Sequence, residues 1–373
     1  MYKKITPKVV SAYVECPRKA FQLMFADDKG MPNEYTQSLE EDTDKNRRNY
    51  IATLKDKYPI ANPPVPHTAQ EIQKKVFETP LETEDFLASA DILTKVGDST
   101  SLRKLNYSHS LVIGTHKINK QQKIQLAFIG HILSMYQKEK PMSGVMIAMD
   151  GKSHKVNLAP FYKEVDLILE VLKQWRISPK QAPSVILNKH CSCCLFQKQC
   201  EKIARDSDCL SLLGGIGKKE VVKYNKKGIF SVNQLSYIFR SRKRRKRGKN
   251  YVKPHSFPLQ ALAIREQRVY VHETPTVPSS SVEIFFDIEG VPDRGFQYLI
   301  GLLIKGNTQV NHYSFWANNS NEEITIFLNF LHILGQYDNY ILFHYGNYET
   351  NYLKRMSKKL PLSLLQKSSN LLN

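Results

Sequence analysis

Apolar residues recur at helical spacing at the start of the chain. In TPKVVSAYVECPRKAFQLMF (residues 6–25), Val10, Tyr13, Val14, Phe21 and Met24 form a stripe that predicts one helix with a buried face. Residues 27–85 are polar, and the proline-rich ANPPVP (61–66) within them reads as a loop. Two runs rich in apolar and β-branched residues follow, FLASADILTKV (86–96) and HSLVIGTHKI (109–118), and both read as strands. Helical spacing returns at 121–137. Residues 143–158 read as a hairpin whose Asp150-Gly151 pair signals a type I′ turn, and a helix follows at 161–175. Further on, LSLLGGIGKKEVVKYNKKGIFSVNQL (210–235) has short helical patterns on both sides of GGIG. After the Pro/Ser-rich HETPTVPSSS come strands at 282–290, 297–306 and 309–316, a helix at 321–334, a strand at 339–346 and a helix at 349–360. Three strands, a helix, a strand and a helix is the opening order of a ribonuclease H-like fold.

A chain of 373 residues is long for one core, and the punctuation divides it into 1–205, 206–275 and 276–373. The fold class expected is multidomain α/β with a small helical hairpin region in the middle. No window approaches the roughly 18 apolar residues of a membrane helix, and MYKKITPKVV carries no secretory signal. A cytoplasmic setting without a membrane is the expectation, and structural disulfides are rare there.

Charge narrows the class of partner. Lys and Arg number 54 against 35 Asp and Glu, a formal charge of +19, which points to a polyanion such as nucleic acid. Eight of the ten residues 240–249, RSRKRRKRGK, are basic; Arg242, Lys243, Arg244, Arg245, Lys246 and Arg247 are its centre. Such a run repels itself and reads as a phosphate-binding or disordered segment. Just upstream, Gly215 and Gly217 let a hairpin backbone approach a phosphate, although an ordinary helical turn also favours glycine.

Four of six cysteines crowd into HCSCCLFQKQC (190–200). Cys191, Cys194 and Cys200 have the spacing C-x2-C-x5-C, and a fourth thiolate completes a tetrahedral site for zinc or an iron–sulfur cluster. Cys193, Cys209 and the distant Cys16 are the candidates for that fourth place. A second constellation is FFDIEG, which sets Asp287 and Glu289 two apart. Strand alternation then puts both carboxylates on one face, where they can share metal ions.

Together, CPRKA near the N-terminus, Asp91 in ASADIL, the strand ending in Lys117, IQLAFIGHIL and C-x2-C-x5-C resemble the iron–sulfur RecB-like nucleases. The resemblance implies a restriction-endonuclease-like domain in which Cys16, Cys191, Cys194 and Cys200 ligate a 4Fe–4S cluster, leaving Cys193 and Cys209 over. It also implies Asp91, Lys117 and Gln125 as catalytic residues with Mg²⁺ or Mn²⁺, but Thr115 stands where the family has its second acid. The D-x-E strand further resembles the first motif of DnaQ-type 3′–5′ exonucleases, and FHYGNYET their second, with Glu349 in place of aspartate. RecB-like nucleases carry such a domain after a helix-hairpin-helix, so the resemblance covers nearly the whole chain. Their third motif lies on a later helix that a chain ending at Asn373 does not reach, so the expectation is either a truncated chain or a domain that no longer hydrolyses.

The expected function is metal-dependent hydrolysis of DNA, with a helicase as candidate partner. Two alternatives stay open at this point: a catalytically degenerate nucleic-acid-binding protein, and a zinc-stapled interaction module.

Overall fold

The computed structural model describes residues 4–57, 75–96, 106–137, 139–179, 182–239, 256–271, 274, 276–291, 293–306 and 309–359. The centre of the basic run, Arg242 to Arg247, lies outside the described residues. The chain divides into two compact units, 1–270 and 271–373.

The N-terminal unit opens with α1 (Pro7–Glu15) and α2 (Pro17–Phe25), two helices where the apolar stripe predicts one. The break is chemical. Pro17 disfavours the helical region for the residue before it, and Cys16 is extended, with φ −160° and ψ 114°. A long helix, α3 (Glu34–Lys57), runs through the polar stretch where no helix is predicted, and the ANPPVP loop lies outside the described residues. Its apolar positions are sparse, with Ile51 alone fully buried, so periodicity could not reveal it. Then come β1 (Lys75–Glu82), β2 (Leu87–Val96), β3 (Asn106–Val112), α4 (Lys120–Gln137), β4 (Ser143–Ile147), β5 (Ser153–Asn157) and α5 (Ala159–Ile177). The sheet order is β1-β2-β3-β4-β5, antiparallel except for the parallel pair β3/β4. Strand β1 was missed because only Phe77, Thr79 and Leu81 alternate inward among polar neighbours. Strand β3 stops at Val112, so Thr115 and Lys117 fall in the turn after it rather than on the strand.

The β4/β5 hairpin forms as expected, with a different turn. Only Gly151 has positive φ (+76°), and its N–H donates to the carbonyl of Ala148. That is a type I turn closed by a left-handed glycine, because type I′ needs positive φ at both central residues.

Side chains from α1, α4 and α5 cover one sheet face around Phe86, Phe128 and Met146. Helix α3 covers the other through Ile51 against Phe77, Ile92, Val112 and Ile147. The unit closes with α6 (Gln197–Asp206), α7 (Lys218–Asn225), α8 (Val232–Ser236) and α9 (Phe257–Glu266). Only a 3₁₀ turn, Leu210–Leu212, precedes the GGIG segment, where a full helical arm was expected. Leu210, Leu213, Val221, Leu235 and Ala261 form a small core for this end of the unit.

The C-terminal unit follows the expected order: β6 (Glu283–Val291), β7 (Phe296–Lys305), β8 (Val310–Trp316), α10 (Glu323–Leu334), β9 (Ile341–Phe343) and α11 (Tyr348–Ser357). The sheet order is β8-β7-β6-β9, with β6 antiparallel to β7 and parallel to β9. Ile284, Phe286 and Ile288 point to one side, where they pack with Phe327, Phe330, Leu353 and Met356 of α10 and α11. Alternation therefore sends Phe285, Asp287 and Glu289 to the opposite face. Both sheets confirm a mixed α/β class.

Candidate functional site

Asp287 and Glu289 are exposed on one face of β6, a strand flanked by β7 and β9. Asp287 lies opposite Gly301 in the β6/β7 register, and Glu289 opposite Leu299. Gly301 leaves open space beside the acid: a Cβ there would meet only the Asp287 carbonyl, 3.9 Å away. Phe285 stacks on Phe343 of β9 with centroids 5.0 Å apart, forming an apolar border next to the acids. Asp287 Oδ1 accepts a local bond from the N–H of Ile288 at 3.0 Å. Two carboxylates on one reachable face suit a hard divalent cation.

Glu349 has a different setting. It sits in the first turn of α11, 4 % exposed, on the side of that helix that carries Tyr352, Leu353 and Met356 into the core. Its Oε2 lies 3.7 Å from His344 Nδ1 and has no hydrogen-bond partner among the described residues.

Asp91 of β2 is 3 % exposed. Its Oδ2 accepts the N–H of Val112 at 2.7 Å, and Arg47 of α3 approaches Oδ1 at 3.7 Å. Burial pushes its pKa up to about 6, the Val112 N–H and Arg47 offsetting part of the effect. Glu78 of β1 adds repulsion. Helix α3 fastens over this region. Asn46 Nδ2 donates to the Ile113 carbonyl at 2.6 Å, and a Cβ on Gly114 would fall 2.3 Å from Thr43 Oγ1. Thr115 Oγ1 accepts from Gln122 Nε2 and donates to the Lys117 carbonyl, both at 2.9 Å. Lys117 is exposed in that turn, and Gln125 lies on α4. The contacts from α3 are not legible in the sequence, because its polar residues show no helical stripe.

The cysteines converge. Cys16, between α1 and α2, lines one small pocket with Cys191, Cys194 and Cys200, and Lys19 and His190 complete its rim. All six cysteines are free thiols. Burial raises the pKa values of Cys191, Cys194 and Cys200; Lys19 partly offsets this at Cys194 and Arg18 at Cys200. Glu15 bridges the rim, with Oε2 2.8 Å from Lys19 Nζ and 2.9 Å from His190 Nε2. Burial opposes its charge, but those two partners hold its pKa below the ordinary carboxylate value. Cys193 and Cys209 are not part of that lining; the Cys209 sulfur instead accepts the N–H of Ser211 at the start of the 3₁₀ turn. Among the described residues, no group of three or more His, Cys, Asp or Glu is arranged to hold a single metal ion.

Gly215 adopts φ +77° with open space around it, and Gly217 precedes α7. Both line a cleft of about 1120 Å³ that also exposes Arg18, Lys120, Lys189 and Lys218. Glu220 reaches back toward Gly217, its Oε2 2.8 Å from where a Cβ would stand, so a carboxylate already faces the start of α7.

No helix among the described residues is long and apolar enough to cross a membrane. Among curated proteins, nothing matches the chain. A family model described as the RNase_H superfamily matches residues 284–372, a span that begins on β6 and contains Asp287, Glu289 and Glu349. The C-terminal unit is a ribonuclease H-like domain, of a kind associated with nuclease-type processing of nucleic acid.

Proposed function

We propose that the protein is a metal-dependent nuclease acting on DNA, with its working centre at Asp287 and Glu289. The observation that carries this reading is the exposure of both carboxylates on one face of β6 within the ribonuclease H-like domain. Such a pair would hold Mg²⁺ or Mn²⁺, which supplies an activated water and neutralises charge on the phosphate. The chain's part is to keep two acids side by side at a face that a strand of nucleic acid can reach. The test is hydrolysis of single-stranded DNA and RNA with Mn²⁺, comparing the full chain with Asp287→Asn/Glu289→Gln. Loss of cleavage in the double variant supports the reading, equal cleavage ends it, and a preference for RNA corrects the substrate.

The N-terminal unit is read as RecB-like, with Cys16, Cys191, Cys194 and Cys200 holding a 4Fe–4S cluster. The donor set fits. Four free thiols line one pocket, and Arg18 and Lys19 in the same lining can offset the charge of bound thiolates. A single zinc draws its sulfurs to within roughly 2.3 Å of one centre, whereas a cubane keeps them wider because iron and sulfide lie between. Anaerobic purification distinguishes the two: a brown protein with a broad visible band supports iron–sulfur, and a colourless protein with stoichiometric zinc replaces it.

Binding of DNA by this unit is supported by its charge, 47 basic against 26 acidic residues in 1–270, and by the lysines around the GGIG cleft. A second reading applies to its nuclease-like centre. The guanidinium of Arg47 stands 3.7 Å from Asp91, burial disfavours the aspartate's charge, and Thr115 brings no second carboxylate, so this centre reads as a catalytically degenerate one.

A further inference from the structure

The acid pair depends on register. Strand side chains alternate with a period of two, so a one-residue slip of β6 would carry Asp287 and Glu289 to the helix-covered face and bring Ile288 out. The β6/β7 ladder contains an irregularity where such a slip could begin. Glu289 pairs with Leu299 but Gly290 pairs with Gln297, which leaves Tyr298 as an extra residue on β7. Bulges of this kind bend the strand and re-aim side chains beside them.

A single buried side chain pins the irregularity. Gln297 is 6 % exposed and is held through three groups. Its N–H donates to Glu323 Oε1 at 3.1 Å, its Nε2 donates to the Tyr348 hydroxyl at 3.1 Å, and its Oε1 accepts from Arg355. Arg355 also donates to the carbonyl of Gly295 in the β6–β7 turn and pairs with Glu323 at 2.6 Å; Lys359 reaches the other Glu323 oxygen at 3.3 Å. Tyr348 closes the arrangement. Its hydroxyl would lie 2.8 Å from a Cβ on Gly290, and the carbonyl of Phe296 would lie 2.7 Å from it, so only glycine fits directly after Glu289. The clamp therefore joins the N-termini of α10 and α11 to the end of β6 that carries the acids.

We propose that Gln297, clamped by Arg355, Tyr348 and Glu323, is the positioning residue that fixes the β6 register and keeps Asp287 and Glu289 together on the open face. This rests on the reading of that pair as a metal site. None of the four residues need touch metal or substrate; they act through the backbone of β6 and β7.

The experiment measures Mn²⁺ affinity of the full chain by electron paramagnetic resonance, together with circular dichroism. It uses the wild type, Asp287→Asn/Glu289→Gln, Arg355→Met, Arg355→Lys and Tyr348→Phe. Wild type should bind Mn²⁺ at a site that the double variant lacks. Arg355→Met should weaken that site by ~10-fold or more, the size of effect typical of groups that orient metal ligands. Arg355→Lys should recover part of the loss, and Tyr348→Phe should cost about threefold, since it removes one neutral hydrogen bond to Gln297. Folded Arg355→Met and Tyr348→Phe proteins that bind Mn²⁺ as tightly as wild type would overturn the proposal while leaving the metal site standing. If wild type and the double variant bind alike, the metal-site reading itself fails and the proposal falls with it. Should Arg355→Met not fold, Tyr348→Phe decides the matter alone.

Discussion

Asp91 and Asp287 are both strand aspartates in mixed sheets, and their surroundings are opposite. Asp91 is buried under α3, accepts a backbone N–H and lies beside Arg47. Asp287 is exposed, shares its face with Glu289 and stands opposite a glycine. The units differ in charge in the reverse sense: residues 1–270 hold 47 basic and 26 acidic residues, residues 271–373 hold 7 and 9. Cations are plentiful where the aspartate has an arginine beside it and scarce where the acid pair is open. At Asp91 burial still outweighs the Val112 N–H and Arg47, so its charge stays costly, and the guanidinium already stands on the side from which a metal would approach. One unit is therefore suited to holding a polyanion, and the other to acting on one.

The largest expected effect separates the units by what holds them together. The proposed cluster would join Cys16 to cysteines 175 or more positions later, so losing it releases α1 and α2 from the 191–200 segment. Cys194→Ser, or chelation of the proposed cluster, should destabilise residues 1–270 by about 3 kcal/mol or more, a fall of roughly 10 °C in midpoint. The ribonuclease H-like unit has its own core and should melt unchanged. Calorimetry on the full chain reads both transitions. A common fall in both, or none in the first, would contradict the division.

Next in size is the acid pair. Asp287→Asn/Glu289→Gln should lower Mn²⁺-dependent cleavage by more than ~100-fold, beyond what the loss of an outer-shell group typically costs. Retained affinity for DNA in that variant, falling steeply with salt, would sharpen the comparison by assigning binding to the basic unit. Affinity lost together with cleavage would instead place both tasks at β6.

Legibility in the sequence differed between the units for physical reasons. The ribonuclease H-like order was readable because its strands alternate cleanly and α10 is strongly apolar on its core side, as at Ile326, Phe327 and Phe330. Asp287 and Glu289 were readable because spacing by two is itself the geometry. The meeting of Cys16 with the 191–200 cysteines came from resemblance, since no local pattern states a contact across 175 residues. Helix α3 was not readable, because a helix that buries little more than Ile51 resembles loop. With it went Arg47 and Asn46, the contacts that change the meaning of Asp91. Gln297 was equally silent, since its importance lies in a register shift and not in its type.

The smallest effect concerns that buried aspartate, and its sign follows from linkage. Burial holds the Asp91 pKa up to about 6 in the folded protein, against about 3.9 in an unfolded chain. Below pH ~4 both forms carry the proton and the group is neutral in the balance. As pH rises from ~4 to ~6 the unfolded chain ionises first, so stability falls across that window and stays lower above it, by at most about 3 kcal/mol. Asp91→Asn keeps an acceptor for the Val112 N–H and removes the charge, so it should raise stability at pH 8 by about 2 kcal/mol and leave it unchanged at pH 3. Denaturant titrations at the two pH values give the difference. Mn²⁺ supplies the converse test in the Asp287→Asn/Glu289→Gln background. With Arg47 in place the ion should leave the midpoint of residues 1–270 where it was. A Mn²⁺-dependent rise that disappears in Asp91→Asn would mean that the cation displaces the guanidinium, making the buried aspartate a second metal centre and removing the contrast between the two units.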